Sequence, residues 1–174
     1  IDTGRIIMQE PFDIADTHNV EDVYDGLMHL GAGLALKTID KIIEGDGQVD
    51  TLPQSEMMPE GTVLHPAPKI FKDTCRMSWH HKAKRVYDFV RGLSPYPGAW
   101  TNMVSAEGKS SVLKVFRTTK TAKACHGEQP GTLYVEGGCL LVATADDWLQ
   151  LDVIQLSGKK RMEAGVFLNG FRDI

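Results

Sequence analysis

Within residues 91–101, reading R-G-L-S-P-Y-P-G-A-W-T, the chain has to abandon one kind of backbone and begin another. Just upstream, Ala83, Val86 and Val90 recur on one stripe of residues 79–91. Lys82, Lys84, Arg85 and Arg91 occupy much of the remaining surface, the pattern of an amphipathic helix. Ser78 is its expected N-cap, and Gly92 is expected to close it by taking the left-handed conformation open to glycine. Pro95 and Pro97 forbid a return to helix and push Ser94 and Tyr96 toward extended backbone. Ala99-Trp100-Thr101 then resumes with residues that favour strands. The segment is a helix-to-sheet junction, and its physics alone specifies no activity.

Short strands are expected beyond it, over 100–104, 112–117, 132–136, 139–144 and 148–155. In the last, Leu149, Leu151 and Val153 alternate with Gln150 and Asp152, as in a half-buried strand. Gly137-Gly138 predicts a hairpin turn, and a helix is expected over 162–171. Trp100, Trp148 and Tyr134 read as inward-facing core aromatics, with base stacking the rival role. Five short strands with helices around them predict an α+β unit, a small OB-like Greek-key β-barrel.

The first third reads differently. Residues 6–8 are a short apolar run and 10–17 an acidic loop. Asn19 is placed to cap a helix whose first turn carries Glu21 and Asp22, acids that suit the positive helix end. Val20, Val23, Tyr24, Leu27, Leu30 and Leu34 repeat at helical spacing, Ile39, Ile42 and Ile43 continue the face, and Gly45 and Gly47 end it. Such a helix is expected to pack on a larger domain. Pro53, Pro59, Pro66 and Pro68 then mark a linker.

Charge divides along the same line. The net charge of −4 argues against a polyanionic partner until it is split. Residues 1–62 hold 3 Lys and Arg against 13 Asp and Glu, a net −10. Residues 63–174 hold 16 against 10, a net +6, which restores the total. The basic part is the candidate for phosphate contact, because Lys and Arg release the counterions that phosphates condense.

Cys75, Cys125 and Cys139 are odd in number and lack paired spacing, so free thiols in a reducing compartment are the simpler reading. Cys75 with His80 and His81 has no metal-ligand spacing, and no metal is expected. No run of apolar residues is long enough to span a bilayer, and no secretory signal opens the chain. Asp2-Thr3-Gly4 has the form of an aspartic protease triplet, but Arg5 stands where that chemistry needs a small residue.

Four stretches, taken in order, carry a resemblance. Residues 91–101 resemble the I-R-G-L-x-P-W-P-G-A-[YW]-T junction of methionyl-tRNA formyltransferases. Leu113-Lys114-Val115-Phe116 is similar to the V-K-V-W strand of that family, and Pro130-Gly131-Thr132-Leu133 to its P-G-T-I turn. Gln155-Leu156-Ser157-Gly158-Lys159-Lys160-Arg161-Met162, with Phe167-Leu168-Asn169-Gly170, is similar to the run that ends its C-terminal domain. At the other end, Ile1-Asp2-Thr3-Gly4-Arg5-Ile6 resembles the L-D-x-G-x-[IM] close of the family's catalytic core.

The resemblance implies an organisation and an activity. Residues 1–46 would be the helical tail of a Rossmann-like formyltransferase domain, 47–68 a linker and 69–174 an OB-like tRNA-binding domain. The whole protein would transfer a formyl group from 10-formyltetrahydrofolate to the amino group of initiator methionyl-tRNA, in the cytoplasm, starting protein synthesis. Asp2 would belong to an Asn-His-Asp catalytic set whose Asn and His precede it. This chain, expected to be part of a longer polypeptide with its own N-terminal catalytic domain, would then be inactive alone. Lys69 and Lys72 match the family's K-[IL]-x-K at the linker–barrel junction. They join Arg91, Lys114, Lys159, Lys160 and Arg161 as the candidate RNA contacts. The last three are expected to reinforce the positive end of the final helix. Two rivals stand: a sugar-nucleotide formyltransferase or other 10-formyltetrahydrofolate-using enzyme, and a non-catalytic RNA-binding module.

Overall fold

A computed structural model of the chain describes residues 3–105 and 107–170. They divide into two units, Ile1–Asp16 with Asp22–Lys69, and Thr17–Glu21 with Ile70–Ile174.

The first unit is built along helix α1, Val20–Glu44, and none of the helix's residues is buried. Asn19 caps it as expected, its Oδ1 accepting from the Glu21 amide at 2.7 Å. The helix closes where the Gly47 amide donates to the Ile42 carbonyl at 2.8 Å. Residues on either side of the helix are tied together. Ile6 and Leu52 form an isolated antiparallel bridge. Arg5 donates to the Thr51 side chain at 2.6 Å and carbonyl at 2.7 Å. The expected linker also holds a one-turn helix α2, Gln54–Met57.

The second unit is an antiparallel sheet with helices against it. Its strands are β1 Ala99–Val104, β2 Ser110–Ala124, β3 Leu133–Glu136, β4 Cys139–Ala143, β5 Asp147–Leu156 and β6 Met162–Glu163. Five lie in the order β1-β2-β5-β4-β3, and β6 pairs with β5. The predicted strands are present, but β2 runs on past Arg117 to Ala124. That extension is rich in threonine and lysine and mostly exposed, so it carries no apolar alternation. Pairing to β5 holds it instead, through register shifts near Arg117 and between Lys120 and Ala124 that bend the strand. The Gly137-Gly138 turn is observed, with φ of 57° and 81° that a two-residue hairpin of this type requires.

Leu113, Val115, Leu140, Val142, Leu149, Leu151 and Ile154 supply the sheet side of the core. Val86 and Val90 of helix α3, Ala83–Gly92, pack with them, as do Ala164 and Phe167 of helix α4, Ala164–Gly170. Burial on this scale decides stability, since truncating one such leucine typically costs about 2–5 kcal/mol.

Several local expectations need correction. Helix α3 starts at Ala83 rather than 79, and Ser78 does not cap it. The cap comes from Asp146, whose Oδ1 accepts from the Ala83 amide at 2.7 Å. Gly92 remains helical, and the chain leaves the helix through Leu93 at φ −114°. The left-handed residue of the junction is Gly98, at φ +86°. Met162 and Glu163 are strand, so the last helix begins at Ala164, and Phe171 lies outside the described residues. Of the aromatics read as core, Trp148 is buried and Trp100 half-buried, but Tyr134 is 47% exposed and leans on Trp148 at 5.7 Å.

Candidate functional site

Strand register builds a row of side chains across the second unit. Trp100 on β1 stands opposite Lys114 on β2, and Lys114 stands opposite Gln155 on β5. Paired residues of antiparallel strands share a face, and neighbours along a strand point to opposite faces. Because Leu113 and Val115 are buried on the core face, the Trp100-Lys114-Gln155 row faces outward.

Both ends of this row fix the backbone of a lysine. Trp100 Nε1 donates to the Lys72 carbonyl at 2.7 Å. Gln155 Nε2 donates to the Lys159 carbonyl at 2.9 Å. Arg76 lies over the Trp100 ring at 5.6 Å. In the middle, Lys114 Nζ donates to the Pro97 carbonyl at 3.1 Å. Arg161 stacks over Phe116 at 3.6 Å and donates from Nη2 to the Pro95 carbonyl at 3.2 Å. The structure therefore brings Lys72, Lys114, Lys159 and Arg161 to one face, with Lys160 exposed between the last two.

The cations of this face are uncompensated. Among the described residues, none of Lys72, Arg76, Lys114, Lys159, Lys160 and Arg161 forms an ion pair with a carboxylate. Other cations of the same unit are paired. Arg117 meets Glu163 at 3.0 Å, and Lys123 meets Glu136 at 2.8 Å. The remaining N–H donors of the unpaired set are available to acceptors from outside.

Arg91 is placed differently. Its Nε donates to Asp88 at 2.8 Å and its Nη1 to the His18 carbonyl at 2.7 Å. Burial pushes the Asp88 carboxyl up, but hydrogen bonds and charge from Lys84 and Arg91 outweigh this and hold it below the usual carboxylate range. Arg91 does line, with Arg161, Pro95 and Phe116, a groove of about 330 Å³. Lys69 is exposed at the end of the other unit. Asp2 lies outside the described residues.

The expected helix-end site is not built. Helix α4 is a single short segment of 7 residues, and β6 separates it from Lys159 to Arg161. Lys159 is held by Gln155 and Arg161 by Phe116 and Pro95 instead. Arg76 is not legible as a member of this face in the sequence. Arg76 joins the face only because Trp100 folds beside it. No three His, Cys, Asp or Glu residues gather as a metal site among the described residues. No described helix is long and apolar enough to cross a membrane.

Comparisons agree with one another. Residues 69–172 match the family model described as formyl transferase, C-terminal domain. The methionyl-tRNA formyltransferase of Parabacteroides distasonis is 47% identical over 175 residues, covering 100% of this chain and 53% of that protein. Its counterpart from Bacteroides fragilis is 49% identical over 172 residues, covering 98% of this chain and 52% of that protein. The chain thus spans about half the length of the curated relatives it matches. Among solved structures, HypX from Aquifex aeolicus in complex with tetrahydrofolic acid superposes with a TM-score of 0.63 at 16% identity. That match covers 96% of this chain and 28% of HypX, and at such identity it speaks for the fold.

Proposed function

The chain belongs to the formyl transferase family through its C-terminal domain, and from that premise we propose that it is the C-terminal half of a methionyl-tRNA formyltransferase. The whole enzyme would move a formyl group from 10-formyltetrahydrofolate to the amino nitrogen of initiator methionyl-tRNA in the bacterial cytoplasm. The names of relatives up to 49% identical support this substrate over a sugar nucleotide. In that reaction the amine attacks the formyl carbon, a tetrahedral oxyanion forms, and the amine's surplus proton must leave as the folate nitrogen departs. Donors aimed at the oxyanion and a group that moves the proton supply the catalysis. By resemblance Asp2 serves the proton, with an Asn and a His from the half of the protein not spanned here. The folate donor belongs to that half as well.

The part assigned to this chain is to hold the RNA. The observation that carries it is a face of six cations without an ion pair, five of them anchored by Trp100, Gln155, Pro97, Pro95 and Phe116. An extended row of charges suits a run of phosphates better than a single nucleotide, and it positions RNA without reading its sequence. Holding the aminoacyl end near the reaction centre is itself a catalytic contribution. We read residues 1–46 as the tail of the catalytic domain, 47–68 as linker and 69–174 as the OB-like barrel. The unit boundary after Lys69 supports the last division. The placing of β2 beside β5, with β3, β4 and β5 joined in succession, supports a Greek key.

Titration of the whole chain with initiator tRNA at two salt concentrations tests the reading. Binding at low salt that falls steeply as salt rises is expected. Absence of binding at low salt, or affinity indifferent to salt, overturns it.

A further inference from the structure

Tyr96 is 83% exposed, more than any other large hydrophobic side chain among the described residues. A lone exposed apolar residue is ordinary and asks for no explanation. The setting of this one is not ordinary, because the backbone on both sides of it is clamped. Arg161 holds the Pro95 carbonyl at 3.2 Å and Lys114 holds the Pro97 carbonyl at 3.1 Å. The Gly98 amide closes the loop onto the Leu93 carbonyl at 2.8 Å. Beneath, Phe116 packs so close to Gly98 that a Cβ there would meet it at 2.9 Å. An aromatic ring is thus held out in water, on an immobilised segment, between two cations that have no carboxylate partner.

We infer that Tyr96 is a stacking platform for an unpaired base of the bound RNA, seated between phosphates held by Lys114 and Arg161. This rests on the RNA reading above and adds a contact that the cationic face alone does not supply. Stacking tolerates any base, since every base has a π-face, and a ring already fixed in place loses little freedom on contact. The other aromatics near this face are less open. Trp100 is half-buried beneath Arg76, and Trp148 lies in the core.

The test compares a hairpin RNA carrying a short unpaired 3′ tail with the same hairpin made blunt, on the whole chain and its variants. For Tyr96→Ala, affinity for the tailed RNA is expected to fall roughly 5- to 140-fold, the range that base–aromatic stacking commands. The dependence on salt and the affinity for the blunt hairpin should stay as they were, and Tyr96→Phe should bind like the parent. Equal binding of the tailed RNA by Tyr96→Ala overturns the inference while leaving the cationic face standing. Equal losses on both RNAs overturn it too, since a stacking role cannot produce them. If the parent chain binds neither RNA at low salt, the RNA reading itself fails, and the inference with it.

Discussion

Asp146 caps a helix that lies 63 residues before it, its Oδ1 accepting from the Ala83 amide at 2.7 Å. The same oxygen accepts from the Asp147 amide at 2.9 Å and the Thr144 hydroxyl at 3.1 Å. One carboxylate therefore fixes the β4–β5 turn and the start of α3 together. Asp146→Ala removes all three acceptor contacts. Loss of a cap typically costs about 0.5–2 kcal/mol, so a lower urea midpoint with unchanged slope is expected.

The same contacts set a pH dependence. The amide of Ala83 first, then that of Asp147 and the Thr144 hydroxyl, hold the Asp146 carboxyl below its usual range against the opposing effect of burial. A carboxyl whose folded pKa is depressed adds stability that is fully present above its unfolded pKa, near about 3.9. That stability drains away as pH falls from there through the folded value. Asp146→Asn should lose stability at neutral pH and show a shallower fall below about pH 4 than the parent. Parallel curves for the two proteins through the acid range would contradict the linkage.

Local chemistry is legible in the sequence; long-range partnership is not. Alternation of Leu149, Leu151 and Val153 announces β5, and Gly137-Gly138 announces the β3–β4 turn, because each signal lies within a few residues. The start of α3 is not where the sequence suggests, because its cap comes from Asp146 while a serine at 78 offers a nearer, unused alternative. The second half of β2 carries no signal, because Thr118 to Ala124 has no buried stripe of its own and is held by β5. Among the candidate site residues, Lys114 and Arg161 sit in recognisable motifs. Arg76 becomes visible only when the fold sets it over the Trp100 ring, and the setting of Tyr96 only when Lys114 and Arg161 are seen to hold the carbonyls on either side of it. Arg91 lies at the right place in a motif, yet it is tied to Asp88 and the His18 carbonyl.

Gly98 is the position of the junction least open to change. Its φ of +86° excludes ordinary side chains, and an added Cβ would press on the Phe116 ring at 2.9 Å. Phe116 also carries Arg161, so it cannot yield without disturbing the cationic face. Gly98→Ala should destabilise the protein by about 1–3 kcal/mol, read from chemical denaturation, and weaken RNA binding at low salt. Gly92→Ala, at a helical position with nothing near its Cβ, should be neutral or slightly stabilising.

Thr118 offers the opposite sign. It is buried, and its Oγ1 has no hydrogen-bond partner among the described residues. A hydroxyl buried without a partner costs about 1–3 kcal/mol of desolvation. Thr118→Val keeps the branched shape and removes that penalty, so a rise in stability of about 1 kcal/mol is expected from urea denaturation. A fall would mean that the hydroxyl has an acceptor in the folded protein.

The cationic face makes a prediction that separates charge from structure. Lys72 and Lys159 are anchored by their carbonyls, which accept from Trp100 and Gln155, so changing their side chains leaves those bonds intact. Lys72→Gln and Lys159→Gln should therefore keep the parent's stability. Each should also flatten the logarithmic salt dependence of tRNA binding by about 0.9 for every phosphate the side chain no longer neutralises. Arg117 is the internal control. It is 62% exposed yet already paired with Glu163 at 3.0 Å, and Asp152 lies within 3.9 Å. Arg117→Gln should leave the salt slope unchanged and alter stability by less than about 1 kcal/mol, as exposed pairs do. A larger loss of slope from Arg117→Gln than from the two lysines would place the RNA in the groove that Arg117 lines with Arg91 and Arg161, away from the two lysines. It would also detach the Trp100-Lys114-Gln155 row from binding, because that row gains its meaning only from being the unpaired one.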